Sequence, residues 1–166
     1  MDRRQALRSL GVAGSLGLAG CSSVLGSSGT VLGRIEVINA SFTARTVRLA
    51  VERGDETLID RQVSLGPADA ADGSAWTKIQ PTWSDTQSQY RIWALHLDEE
   101  GERASTSWEY TVTRADYDTY YEDEAEDPGC IGALVKIGDF SEAEYPPIGI
   151  SPTYVENPCG TADRTR

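Results

Sequence analysis

The chain is poor in histidine, methionine and lysine, with one His, one Met and two Lys among 166 residues. A His/Cys/Met electron-transfer site cannot be assembled from that stock, and three-histidine zinc chemistry fails for the same reason. A Ser-His-Asp arrangement would have His96 as its only base, and no Gly-x-Ser-x-Gly elbow accompanies it. The Lys/Arg patch that neutralises a nucleic-acid backbone is missing, so no nucleic-acid partner is expected. Long apolar runs are also lacking. Leu10 to Ala19 would span about 15 Å as a helix, half of a hydrocarbon core of about 30 Å, which suits a signal h-region better than a membrane span.

What stands at the start is informative. Arg3, Arg4 and Arg8 make a basic opening before that apolar segment, so residues 1–20 are expected to be a signal peptide. Arg3-Arg4-Gln5-Ala6-Leu7 resembles a twin-arginine export motif, with Asp2 before the pair and Ala6 where Phe is common. Leu18-Ala19-Gly20-Cys21 resembles a lipobox. The resemblance implies export in the folded state, cleavage before Cys21 and a diacylglyceryl thioether on that cysteine. Membrane lipid is then the first partner, and the protein sits on the outer face of the cytoplasmic membrane.

Charge of one sign is also scarce. Removing residues 1–20 takes away Asp2, Arg3, Arg4 and Arg8 and leaves 25 acidic against 12 basic side chains, with Lys78 and Lys136 the only lysines. Small carboxylates hold water and salt cations, and few lysine stems means little exposed apolar surface. At molar salt the screening length falls to about 3 Å, so the carboxylates repel one another weakly and steer partners little. The composition resembles that of secreted proteins of haloarchaea.

Ser22 to Thr30 is rich in Ser and Gly without periodicity, and residues 21–30 are read as the lipidated cysteine and a flexible spacer. From Val31 the pattern has a period of two. Ile35 and Val37 share one side; Val47, Leu49 and Val51 share another; Ile59, Val63 and Leu65 follow, with Arg61 the awkward member. Ala75 to Trp83 holds a shorter strand interrupted at Pro81. In Tyr90 to Leu97 both faces are apolar, which predicts a central strand, and Ser105 to Thr113 returns after an acidic hairpin. Tyr117 to Pro128 reads as an acidic, aromatic loop, followed by strands at Ile131 to Ile137 and Ile148 to Val155. Seven or eight short strands predict an all-β fold, a two-sheet antiparallel β-sandwich of immunoglobulin-like architecture over residues 31–160, with residues 161–166 a disordered tail. A small up-and-down β-barrel is the alternative.

With Cys21 used for lipid, Cys130 and Cys159 remain as an even pair in an oxidising exterior, and a structural disulfide is expected. Asn39-Ala40-Ser41 is an N-glycosylation sequon. His96 reads as a structural histidine. In Asp116 to Asp127, Asp116, Asp118 and Asp127 fill positions 1, 3 and 12 of a calcium loop, but Tyr120 stands at the fifth position and Tyr121 replaces the glycine, so an EF-hand is rejected. A looser cation or ligand site made by those acids with Tyr117, Tyr120 and Tyr121 is kept as a candidate. No catalytic residue, metal or cofactor is assigned. The expected role is a lipid-anchored binding or structural module of the cell envelope with a protein or glycan partner; an extracellular hydrolase is the alternative.

Overall fold

Period-two alternation becomes strand wherever it was seen. The computed structural model describes residues 29–98, 101, 103–121, 127–138, 147–153 and 158–159. Its strands are β1 (Leu32–Asn39), β2 (Arg45–Arg53), β3 (Glu56–Leu65), β4 (Trp76–Ile79), β5 (Tyr90–Leu97), β6 (Arg103–Val112), β7 (Ile131–Ile137) and β8 (Ile148–Thr153). One helix, α1 (Arg114–Tyr121), follows β6. The signal segment, Cys21 and the tail at 161–166 lie outside the described residues.

The strands form two four-stranded sheets, ordered β4-β1-β7-β8 and β3-β2-β5-β6, packed as a sandwich. Each has one apolar face, and the two faces meet. Ile35, Val37, Ala133 and Val135 of the first sheet and Val47, Leu49, Val51, Ile92 and Ala94 of the second are all at most 1% exposed. Burying one Val, Leu or Ile contributes about 2 kcal/mol, so this seam holds the sheets together. His96 has the inward parity of β5, opposite Val47, and is 2% exposed.

Three expectations are corrected. The sandwich is not purely antiparallel, because β1 runs parallel to β7 from Leu32↔Ile131 to Asn39↔Ile137. A parallel pair needs a long crossover, and the whole of β2 to β6 supplies it. Nor is the fold a barrel: among the described residues no strand joins one sheet to the other, and β4, β8, β3 and β6 remain edges. Residues 117–121, expected in a loop, belong to α1. Thr113 caps it, its backbone N–H and its hydroxyl both donating to Asp116 Oδ2 at 2.7 and 2.9 Å. Tyr117 and Tyr121, one turn apart, bury against the core.

The domain also begins before Val31. Thr30, expected in the spacer, is 3% exposed and exchanges backbone hydrogen bonds with Ser88. A Cβ on Gly29 would lie 2.4 Å from the Ser88 backbone, so the chain there needs glycine.

Strand directions give the sandwich two distinct ends. Thr30, the start of β1, the end of β2, the start of β5, Cys130 and Cys159 lie at one end. Asn39, Leu65, Trp76, Leu97 and the β5–β6 turn at Gly101 lie at the other.

Candidate functional site

Alternation that sends Val47, Leu49 and Val51 inward sends Thr46, Arg48, Ala50 and Glu52 to the outer face of the second sheet, beside Asp60, Gln62, Trp93, Leu95 and Leu97. Arg48 grips Asp60 with two bonds, Nε to Oδ1 at 2.7 Å and Nη2 to Oδ2 at 2.5 Å. Its guanidinium also stands 5.6 Å from the centre of the Trp93 ring. The Trp93 indole N–H donates to Glu52 Oε1 at 3.0 Å, and Arg91 donates to Glu52 Oε2. Opposite charges on neighbouring strands thus link β3, β2 and β5 across the sheet, and Ala50 beneath them is only 1% exposed despite its outward parity. The Arg91 guanidinium, helped by the Trp93 N–H, holds the Glu52 carboxyl below the ordinary carboxylate range. Arg48 does the same to Asp60.

Toward the β5–β6 turn this face sinks into a shallow, open depression of about 610 Å³. Leu95 and Leu97 supply apolar surface, Arg48, Asp60 and Gln62 supply polar atoms, and Arg61 and Gly101 border it. Arg61 is the awkward residue of the strand pattern. It pairs with Leu49, yet it lies on an edge strand where it stays exposed. The apolar set Trp93, Leu95 and Leu97, one of the two apolar faces of this strand, was the sequence signal for this surface; its place beside Gln62 followed only from the pairing of β3 and β5 with β2.

The described residues of the acidic, aromatic stretch are engaged with α1 and its neighbours. Asp116 accepts from Thr113 and, through Oδ1, from the Tyr110 hydroxyl at 2.7 Å. That bond, with burial second, pushes the Tyr110 phenol up to about 12. Asp118 pairs with Arg114 at 2.7 Å, one turn away. Asp127 accepts from the Tyr117 hydroxyl and from Gly129 N–H, the latter at 2.8 Å. Tyr120 donates to the Pro152 carbonyl at 2.9 Å, and the Tyr117 and Tyr121 rings lie 4.9 Å apart. Asp116, Asp118 and Asp127 therefore each serve a different protein partner, and no group of three His, Cys, Asp or Glu among the described residues converges as a metal would require.

This separation gives a test. With many dispersed carboxylates, the unfolding midpoint should climb gradually with KCl over a wide range, and millimolar calcium added in molar KCl should leave it in place. Calorimetry is the check: a saturable rise following RT ln(1 + [Ca²⁺]/Kd) would put a cation at Asp116 to Asp127 instead.

Cys130 and Cys159 form the disulfide, with Cα atoms 5.6 Å apart. Asn39 is 1% exposed, with both amide hydrogens bound to carbonyls. No protein-family model matches the chain, and no curated protein sequence matches it.

Proposed function

We propose that the chain is a lipid-anchored binding module of a haloarchaeal envelope, held through modified Cys21 at the outer face of the cytoplasmic membrane. It presents the outer face of its second sheet to an envelope partner. The observation that carries this reading is the direction of the sandwich. Gly29 and Thr30, the described residues nearest Cys21 in the chain, lie at one end. The depression lies toward the other end, beside Leu97 and Gly101. An eight-residue strand such as β1 spans about 26 Å, enough to lift that surface clear of lipid headgroups. The immunoglobulin-like architecture belongs to the same reading: the chain crosses between the sheets at β1–β2, β3–β4, β4–β5 and β6–β7, as Greek-key sandwiches do. The hydrolase alternative draws no support from His96, which faces the core rather than the depression.

Serine at position 21 removes the sulfur that carries the lipid. Each buried CH₂ of an acyl chain contributes about 0.8 kcal/mol, so two long chains outweigh any weak surface contact. Cys21→Ser should leave the membrane fraction with its unfolding midpoint unchanged. Retention of the variant in membranes after high-salt and carbonate washing would overturn the anchor.

A further inference from the structure

We propose that the outer face of the first sheet binds a second copy of this chain, through the side on which β6, α1 and β8 meet. This contact lies apart from the depression on the second sheet and does not depend on the anchor.

Strand parity builds the face. Residues that alternate with buried Ile35, Val37, Ala133 and Val135 point away from the core. They stand in two rows across β4, β1 and β7: Trp76, Ile38 and Lys136, then Lys78, Glu36 and Leu134. Trp76 is 42% exposed, and Lys78 Nζ rests 4.6 Å from the centre of its ring. Ile38 and Leu134 are half-buried and add aliphatic surface. Glu36 is paired with Arg34 at 2.8 Å, so the two exposed lysines set the sign of the face. Lys78 and Lys136 are the only lysines in a chain of formal charge -11, and this one face holds both.

The same chain carries the complement. β6 lies over β8, and α1 spans them: the Tyr110 hydroxyl of β6 donates to Asp116, and the Tyr120 hydroxyl donates to the Pro152 carbonyl of β8. Trp108 on β6 is 53% exposed and Tyr120 on α1 is 37% exposed, and the exposed carboxylates of Glu109 and Asp118 belong to the same two elements. Aromatic surface with lysines thus matches aromatic surface with carboxylates. An acidic glycan would meet the lysines too, but the two rows hold no Asn, Gln or Asp to bond its hydroxyls. Four strands about 4.8 Å apart and at most about 26 Å long give a face of at most about 500 Å², which suits a weak contact and not a permanent one. In molar salt the screening length of about 3 Å mutes repulsion between two acidic copies and spares pairs in contact, so salt favours association. Because the two surfaces differ, the contact is head-to-tail, and each joined pair keeps one free surface of each kind.

The test is analytical ultracentrifugation of the full chain in molar KCl, from micromolar to millimolar concentration. The average mass should rise with concentration and pass that of a dimer. Lys78→Glu with Lys136→Glu blocks the face, and Trp108→Ser with Glu109→Gln blocks the complementary side. Each double variant alone should associate at least tenfold more weakly than the parent at an unchanged unfolding midpoint, since all four side chains are exposed. Mixed in equal amounts, the two variants should form dimers and nothing larger, because each keeps the surface that the other has lost. A parent that stays monomeric throughout, a lysine variant that associates as the parent does, or a mixture that does not dimerise would each overturn the proposal. A monomeric parent that binds oligogalacturonate through the same two lysines would also overturn it and give the face to an acidic glycan. The anchor is read separately by the fractionation of Cys21→Ser, so failure of either leaves the other measurable.

Discussion

Alanine at position 33 is expected to lower the unfolding midpoint by about 10 °C, an effect of about 3 kcal/mol for overpacking in a domain of this size. Gly33 lies in the irregular part of β1, between the Leu32 and Ile35 pairings with β7. A Cβ there would stand 2.0 Å from the Pro158 carbonyl oxygen and 3.1 Å from Cys130 Sγ. That oxygen cannot retreat freely. It accepts the Arg34 backbone N–H at 2.6 Å, and the next residue, Cys159, is bonded to Cys130. The disulfide closes a loop with a sequence separation of 29, worth about 3.6 kcal/mol in the chain-entropy account, so added bulk at Gly33 works against a covalent closure. Thermal unfolding of Gly33→Ala in molar KCl, alone and with Cys130→Ser and Cys159→Ser, reads the coupling. With the disulfide gone the segment can move aside, and the cost of alanine should shrink. An equal cost in both backgrounds would show that Gly33 matters for β1 itself and not for the segment beside it.

That coupling also marks where sequence reasoning stops. Which side chains face the core was legible, since Ile35, Val37, Val47, Leu49 and Val51 are set by a period of two that needs no knowledge of partners. Which strands pair was not. The parallel pairing of β1 with β7 joins residues about a hundred positions apart, and both strands would show the same alternation beside any neighbour. The helix was legible and missed. Thr113 and Asp116 have capping-box spacing, and Tyr117 and Tyr121 repeat at one turn, but acids and tyrosines give a weak apolar stripe. The candidate site divides along the same line. Trp93, Leu95 and Leu97 were visible as one of two apolar faces of β5, whereas their place on the outer surface beside Arg48, Asp60 and Gln62 depends on the pairing of β3 and β5 with β2.

Asn39 is expected to remain unglycosylated, and its replacement by aspartate to be among the most damaging single changes in the domain. Its Nδ2 donates to the carbonyls of Thr43 at 2.8 Å and Gly66 at 2.7 Å. Its Oδ1 accepts from Ser41 N–H at 3.0 Å and from Ser41 Oγ at 2.7 Å. The side chain thus ties the end of β1 to the β1–β2 loop and to the residue after β3. A glycan would take one of the two amide hydrogens at a residue only 1% exposed, so a chain exported already folded offers no acceptor; the intact mass of the mature protein checks this. The aspartate of Asn39→Asp would keep the acceptors and lose both donors, turning a carboxylate toward two carbonyl oxygens. Leaving such a charge buried and unpaired costs about 3–5 kcal/mol. The sign with pH follows. Burial and facing carbonyls raise the folded carboxyl above its unfolded value of about 3.9, so the native state binds more protons in between. The cost in Asn39→Asp is therefore full near neutrality and shrinks as pH falls through the raised folded value, where protonation returns one donor. Asn39→Ala loses all four bonds, donors and acceptors alike, without adding a charge, and should show no such recovery. Urea unfolding of both variants and the parent in molar KCl, between pH 7.5 and pH 5, separates the two effects. If Asn39→Asp and Asn39→Ala lose equal stability at every pH, the site is open to water and the buried tie does not exist.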